Sequence, residues 1–206
     1  TVIFRKKVHK NNPDIVFFPA KGYNRLGMLI IYLKGENKMH TFQPYPIDLI
    51  EFDPFTKIGE EWMLITAKEG DKVNAMTASW GGVGVLWGKN TAFIFVRESR
   101  FTKELIDQSD HFSLTFFDSS YKSAMKYFGM VSGRTEDKIK AAKMNVNYFE
   151  EIPFIDEGNF VICCKKMSAT PILPEHFLDS EIQEKWYADG DLHTMYVGEI
   201  IQILAR

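Results

Sequence analysis

The chain has 206 residues, 45% hydrophobic and 25% charged, the balance of a globular protein long enough to bury a core rather than of a disordered or fibrous one. Its formal net charge of −2 gives no global attraction for nucleic acid or an anionic membrane, so any anion site must be local. The only two cysteines, Cys163 and Cys164, are adjacent and point to opposite faces of an extended chain; they are read as reduced thiols, and with five scattered histidines they offer no metal framework.

Residues 1–38 stand apart in composition. They carry eight lysines and arginines against two carboxylates, a net of +6, whereas the remaining 168 residues carry −8. A basic arm, a β-hairpin packed on the domain, or upstream sequence ahead of a start at Met28 or Met39 would each account for the break. The main domain is expected over residues 39–206. The apolar run Met28 to Leu33 falls far short of the roughly 20 residues of a membrane helix, and no cleavage pattern follows it, so a cytoplasmic location is expected.

From Trp62 onward the pattern is strand-like. Trp62–Ala67, Val73–Ser79, Thr91–Val96, His111–Phe117, Phe160–Ala169 and Leu192–Leu204 are rich in β-branched and aromatic residues and are separated by turn signals. Three short helices are predicted among them: Thr102–Gln108, Ser120–Phe128 and Thr135–Lys143, the last two preceded or opened by hydroxyl residues able to cap free N–H groups. Inserted rather than alternating helices predict a mainly β barrel and argue against a Rossmann site, for which no G-x-G-x-x-G follows a predicted strand. The run Gly81-Gly82-Val83-Gly84 suits a tight turn between two strands.

Three segments carry the candidate chemistry. Along Val73–Ser79 and the following Trp80-Gly81-Gly82, Asn74, Met76, Ala78 and Trp80 share one strand face, and Thr77 and Ser79 the other. Hydroxyls, an amide and backbone N–H groups beside glycines suit the edge or phosphate of a nucleotide-like ligand, although a strand ending in a glycine turn has the same composition. Phe95–Thr102 runs from a strand into a helix start, where Arg97, Ser99, Arg100 and Thr102 are four phosphate-compatible groups within six residues; a capped helix with solvated arginines reads the same way. Val131–Lys138 places Ser132, Gly133, Arg134 and Lys138 at another helix start, as a pocket rim or as a common N-cap.

Taken together, Trp62–Ala67, Asn74–Gly82, Val96-Arg97 with Ser99–Thr102, and Ser132–Arg134 with Asp137-Lys138 resemble the flavin reductase-like family in its flavoredoxin-type branch, over about Phe42 to Leu204. The resemblance implies a homodimeric, FMN-binding split β-barrel. FMN would lie along Asn74, Met76, Thr77, Ala78, Ser79 and Trp80, with its phosphate meeting Ser99, Arg100 and Thr102 around Phe101. Arg97 and the stretch holding Ser132, Gly133 and Lys138 would make further contacts. Asp189-Gly190-Asp191-Leu192-His193 is similar to the family's Gly-Asp-His segment with Leu192 inserted. His193 would then line the nicotinamide side of the flavin, but a lone strand histidine is more often a structural hydrogen-bonding group, and that reading is preferred.

The expected function is therefore an FMN-binding oxidoreductase, an NAD(P)H:flavin reductase or a flavoredoxin-like protein, with NAD(P)H as co-substrate. The cofactors carry the hydride chemistry, so no nucleophile or catalytic carboxylate pair is required. Glu60-Glu61, Glu150-Glu151 and Asp189/Asp191 accordingly read as surface charge. Two alternatives stand beside it: an FMN-bearing electron carrier served by a redox protein partner without NAD(P)H activity, and a barrel that binds another planar ligand or none.

Overall fold

The computed structural model describes residues 7–9, 12–19, 28–32 and 39–206. Contacts divide the chain into two units, Thr1–Met39 and His40–Arg206. In the first, β1 (Lys7–His9), β2 (Asn12–Pro19) and β3 (Met28–Tyr32) form an antiparallel sheet in the order β1-β2-β3. The rest of the basic segment lies outside the described residues.

The second unit is built on β4 (Gln43–Pro44), β5 (Met63–Glu69), β6 (Lys72–Ala78), β7 (Gly81–Leu86), β8 (Lys89–Arg97), β9 (His111–Phe116), β10 (Val146–Phe149), β11 (Ile152–Ile155), β12 (Phe160–Pro171) and β13 (His193–Ala205). β10 and β11 form a separate hairpin. The other eight make one antiparallel sheet in the order β6-β5-β9-β12-β13-β8-β7, with β4 pairing on β13. The two end strands, β6 and β7, are joined by Ser79 and Trp80 alone. Three residues of chain span at most about 11 Å, so the far edges of the sheet must curl back to meet. They meet without pairing, which makes the barrel split, with a seam along Ser79-Trp80.

All six predicted strands are present, within two residues at each end. Gly81–Gly84 is not a turn. It opens β7, which pairs residue by residue with β8, and the missing side chain is what permits the approach: a Cβ on Gly81 would lie 2.6 Å from the carbonyl oxygen of Phe93. The first helix is α1 (Phe101–Gln108), which buries Phe101, Leu105 and Ile106 on one face, and the second is α2 (Lys122–Met130). The third shrinks from Thr135–Lys143 to α3 (Lys138–Ala141), because Asp137 rather than a hydroxyl residue caps it, accepting from the Lys140 N–H at 3.1 Å. No side chain caps α2 either; a 3₁₀ turn at Ser119–Tyr121 leads into it. α4 (Ser180–Trp186) was not predicted. No helix among the described residues is long and apolar enough to cross a membrane.

The strands alternate between two apolar cores. Ile65, Met76, Ile94, Val96, Leu105, Phe112, Leu114 and Tyr196 pack inside the barrel with α1, while Leu64 and Ala75, on the opposite face of β5 and β6, meet Met125 and Phe128 of α2 and Ile139 of α3. Cys164 lies in the first core, and Cys163 faces β11 in a third cluster. Phe112 is fully buried at the centre of the barrel core. Phe112→Ala is therefore expected to lower stability by about 3–5 kcal/mol, read as a shift of the urea midpoint at constant m-value.

Candidate functional site

Two cavities of about 220 Å³ each, the first at the seam and the second farther along β6, share Met76 and Arg100. Neither alone reaches the roughly 300 Å³ of an ordinary small-molecule pocket, but together they do. One is a slot bounded by Met76, Thr77, Ala78, Ser79 and Trp80 of β6 and the seam, by Phe95 and Arg97 of β8, by Trp186 of α4 and by His193 of β13. The other is an anion seat bounded by Asn74 and Met76, by Ser99–Thr102 at the start of α1, and by Met130–Arg134 with Lys138. Every residue singled out from the sequence borders one of the two.

The seat is cationic and partly buried. Lys138 is only 3% exposed, donates to the Phe128 carbonyl at 3.0 Å and joins no ion pair among the described residues. Burial, reinforced by the charge of Arg100, pulls its pKa down to about 8. Arg100 is half-buried, donates to the Gly129 carbonyl at 2.6 Å, and has its own pKa lowered by burial and then by Arg97. Asp191 offsets part of this on Arg100, but neither cation pairs directly with a carboxylate among the described residues, which leaves positive charge that an anion would neutralise. Asn74 is buried and donates to Thr102 Oγ1 at 2.8 Å, fixing that hydroxyl in the wall. Gly133 abuts this pair: a Cβ there would lie 2.3 Å from Asn74 Oδ1 and 2.8 Å from the Phe101 ring.

Two of the predicted phosphate ligands have other partners. Ser99 donates from its backbone N–H at 3.0 Å and its hydroxyl at 2.6 Å to the carboxylate of Asp191, and its carbonyl accepts from Arg134 at 2.8 Å. Arg97 donates to the carbonyls of Asp191 and Trp186, both at 2.9 Å, and pairs with Asp189 at 3.3 Å. Both residues border the cavities, but their donors hold the segment from Trp186 to Asp191 in place.

In the slot the groups are flat and weakly polar. The Trp80 ring lies 5.2 Å from Trp186, edge to face, and 4.9 Å from His193. His193 is buried, and its Nδ1 hydrogen-bonds the Tyr187 hydroxyl at 2.9 Å. Desolvation, then the positive charge of Arg97, lowers the imidazole pKa to about 4, so it is neutral near pH 7. The Thr77 hydroxyl turns away from the slot to donate to the Met125 carbonyl. The cysteines are buried elsewhere, with Cys163 pushed up to about 12 by burial, and neither serves as a nucleophile here. Phe95 and Trp186 in the slot and Met130 in the seat are lining residues that sequence reasoning did not single out. For Trp186 the available signal was Asp179-Ser180-Glu181, a helix-start pattern in which Asp179 indeed accepts from the Glu181 N–H.

An open barrel that sets a flat aromatic slot beside a cationic seat has the shape and charge to suit a planar group with an anionic tail. The sequence profile of the flavin reductase like domain matches residues 55–206, and the chain belongs to that family. Its fold is similar to flavoredoxin from Methanosarcina acetivorans, at 24% identity over 71% of this chain and 68% of that one, with a TM-score of 0.57. It is also similar to an FMN-binding domain of a flavin reductases-like enzyme from Shewanella baltica, at 14% identity, 82% and 78% coverage and a TM-score of 0.59. Flavoredoxin of Desulfovibrio vulgaris (Miyazaki F) matches at 20% identity, 70% and 69% coverage and 0.56. No curated protein sequence matches the chain. Family membership supports flavin binding, and the residues present fit such a group: Lys138, buried and in no ion pair among the described residues, borders a seat that shares Met76 and Arg100 with the aromatic slot.

Proposed function

We propose that the protein binds FMN across the two cavities and acts as an NAD(P)H-dependent FMN reductase. The observation that carries the reading is Lys138, a buried cation under the influence of Arg100 and with no carboxylate partner among the described residues. Lys138 and Arg100 would hold the phosphate, with the hydroxyls of Thr102 and Ser132 as further donors. Ser79, Trp80, Phe95 and His193 would line the ring, with Trp80 and Trp186 excluding water from it. FMN, when bound, supplies the chemistry of accepting a hydride and releasing its electrons. The protein's part is orientation, and a neutral His193 set by Tyr187 offers a hydrogen-bonding group without adding charge to the slot.

A second reading, an FMN electron carrier without NAD(P)H activity, is favoured by Trp186, which stands across the slot where a nicotinamide would approach. The experiment that separates the two is an absorption spectrum after FMN addition and desalting, followed by anaerobic NADH and then NADPH. Retained yellow colour that bleaches is the expected result; colour that persists selects the carrier. Loss of all colour would overturn FMN as a tightly held group.

A homodimer is part of the same proposal. Exposed Val85 on β7 borders an apolar hollow of about 440 Å³ lined by Ile50, Phe52, Val83, Ile200 and Ile203, a face suited to a second copy. Sedimentation equilibrium is expected to give twice the chain mass. Buried free thiols suit a reducing compartment, and we place the protein in the cytoplasm.

A further inference from the structure

The segment Ile172–Asp191, which carries α4, crosses the mouth of the slot and differs in character from the rest of the domain. Its 20 residues hold six carboxylates and a single lysine, a net of −5, so it supplies most of the −8 carried by residues 39–206. Among those charges Leu173, Leu178, Ile182 and Trp186 present apolar side chains to solvent, and Leu178 is fully exposed. Ile182 and Trp186 lie one turn apart on α4, on the same face. Trp186 also reaches the other way: it borders the slot and packs edge-on against Trp80. Arg97 fixes this residue by its backbone carbonyl, so the exposed indole is held at the cavity mouth.

Apolar side chains among predominantly acidic charges, with Lys185 over the Trp186 ring at 5.2 Å as the one cation of the segment, are the anatomy of a transient protein interface, where apolar contact supplies adhesion and the charge supplies steering. The sign selects the partner. We propose that Ile172–Asp191 is the docking surface for a one-electron redox protein with a basic face, placed so that Trp186 alone separates the partner from the slot. This inference rests on the FMN reading for its electrons but not for its docking. Glu175, Glu181 and Glu184 steer, and Leu178 and Ile182 adhere.

The test uses ferricytochrome c, a lysine-rich haem protein, as the probe. Titration calorimetry of the full chain without flavin, at low ionic strength, compares wild type with a Glu175→Gln, Glu181→Gln, Glu184→Gln triple variant and with a control triple at exposed Glu51, Glu60 and Glu69. All six carboxylates are exposed, so both triples remain folded. Affinity is expected to fall at least tenfold in the first triple and to change less than twofold in the control. Leu178→Ser is expected to weaken binding with no change in its salt dependence. Equal losses in both triples, or no binding by wild type, would overturn the proposal.

A second arm uses FMN-loaded protein reduced with dithionite. Two ferric haems become ferrous per flavin, which returns to its oxidised form and releases its protons to water. The first triple is expected to lose this rate at low salt and to keep the wild-type rate with ferricyanide, a small acceptor that needs no docking. Should FMN fail to bind, the calorimetric arm still decides the docking surface; should FMN bind and the first triple bind cytochrome as wild type does, only the docking proposal fails.

Discussion

Replacing Lys138 with methionine is expected to lower FMN affinity ten- to a hundredfold, leave riboflavin binding unchanged, and make the flavin-free protein more stable. All three outcomes have one cause. A charge-assisted bond to phosphate is worth about 1.5–3 kcal/mol, and riboflavin has no phosphate to lose it. In the flavin-free protein the same ammonium is buried without a counter-charge, so an apolar side chain of similar length removes a cost. Its pKa falls from 10.5 to about 8 on folding. Below pH 8 both states are protonated and the destabilisation is fully present. Between about 8 and 10.5 the unfolded chain binds more protons than the folded one, so stability rises with pH, by an amount on the order of 3 kcal/mol. Urea midpoints across that range should show the rise in wild type and lose it in Lys138→Met.

The same proton shapes ligand binding. The phosphate becomes a dianion above about pH 6 and Lys138 is charged below about 8, so FMN affinity is expected to peak between them. Above 8 it should fall by about tenfold per pH unit, because binding must then take up a proton. Fluorescence titration of FMN over pH 5.5–9.5 checks this. A flat profile above 8 would mean that Lys138 does not meet the phosphate.

Gly133→Ala is expected to be the costliest addition of a single methyl group at the site. The new Cβ would fall 2.3 Å from Asn74 Oδ1 and 2.8 Å from Phe101, one buried and the other held on α1. Relief requires Asn74 to move, and its amide then leaves Thr102 Oγ1. Overpacking costs about 1–3 kcal/mol and a stranded buried polar group a similar amount. The thermal midpoint should drop by about 4–24 °C for a chain of this size. FMN affinity should fall with it, since Thr102 borders the seat. Gly82→Ala, whose Cβ meets nothing within 4 Å, serves as the control and should behave as wild type.

What the sequence shows of this fold is what is written locally. Met63–Ala67 is buried on both faces, so a continuous apolar run marks β5 whichever way the sheet curls. Asn74, Met76 and Ala78 share the face that period two assigns them. β7 was hidden because three of its first four residues are glycine, which reads as a turn, and because its partner β8 supplies the strand signal. α4 was hidden because every residue in it is exposed, leaving no apolar stripe to count. At the site, residue types at Asn74, Arg100, Thr102, Gly133 and Lys138 were legible as phosphate-compatible. Their roles were not. That Lys138 is the buried cation, and that Ser99 and Arg97 grip the Trp186–Asp191 segment, are results of distances between elements far apart in sequence.

The placement of β13 has a consequence for how the protein comes into being. It lies between β12 and β8, so until synthesis passes residue 205 the strands β6-β5-β9-β12 and the hairpin β8-β7, linked only through Ser79-Trp80, have no strand pairing them into one sheet. Each half meanwhile shows an unpaired edge, β12 on one and β8 on the other, available to any neighbouring chain. His193 and the segment before it arrive with that last strand, so a nascent chain carries the anion seat well before it has a slot. A cell making this protein must shelter two open sheets until β13 closes them together, and slot and seat stand side by side only after that moment.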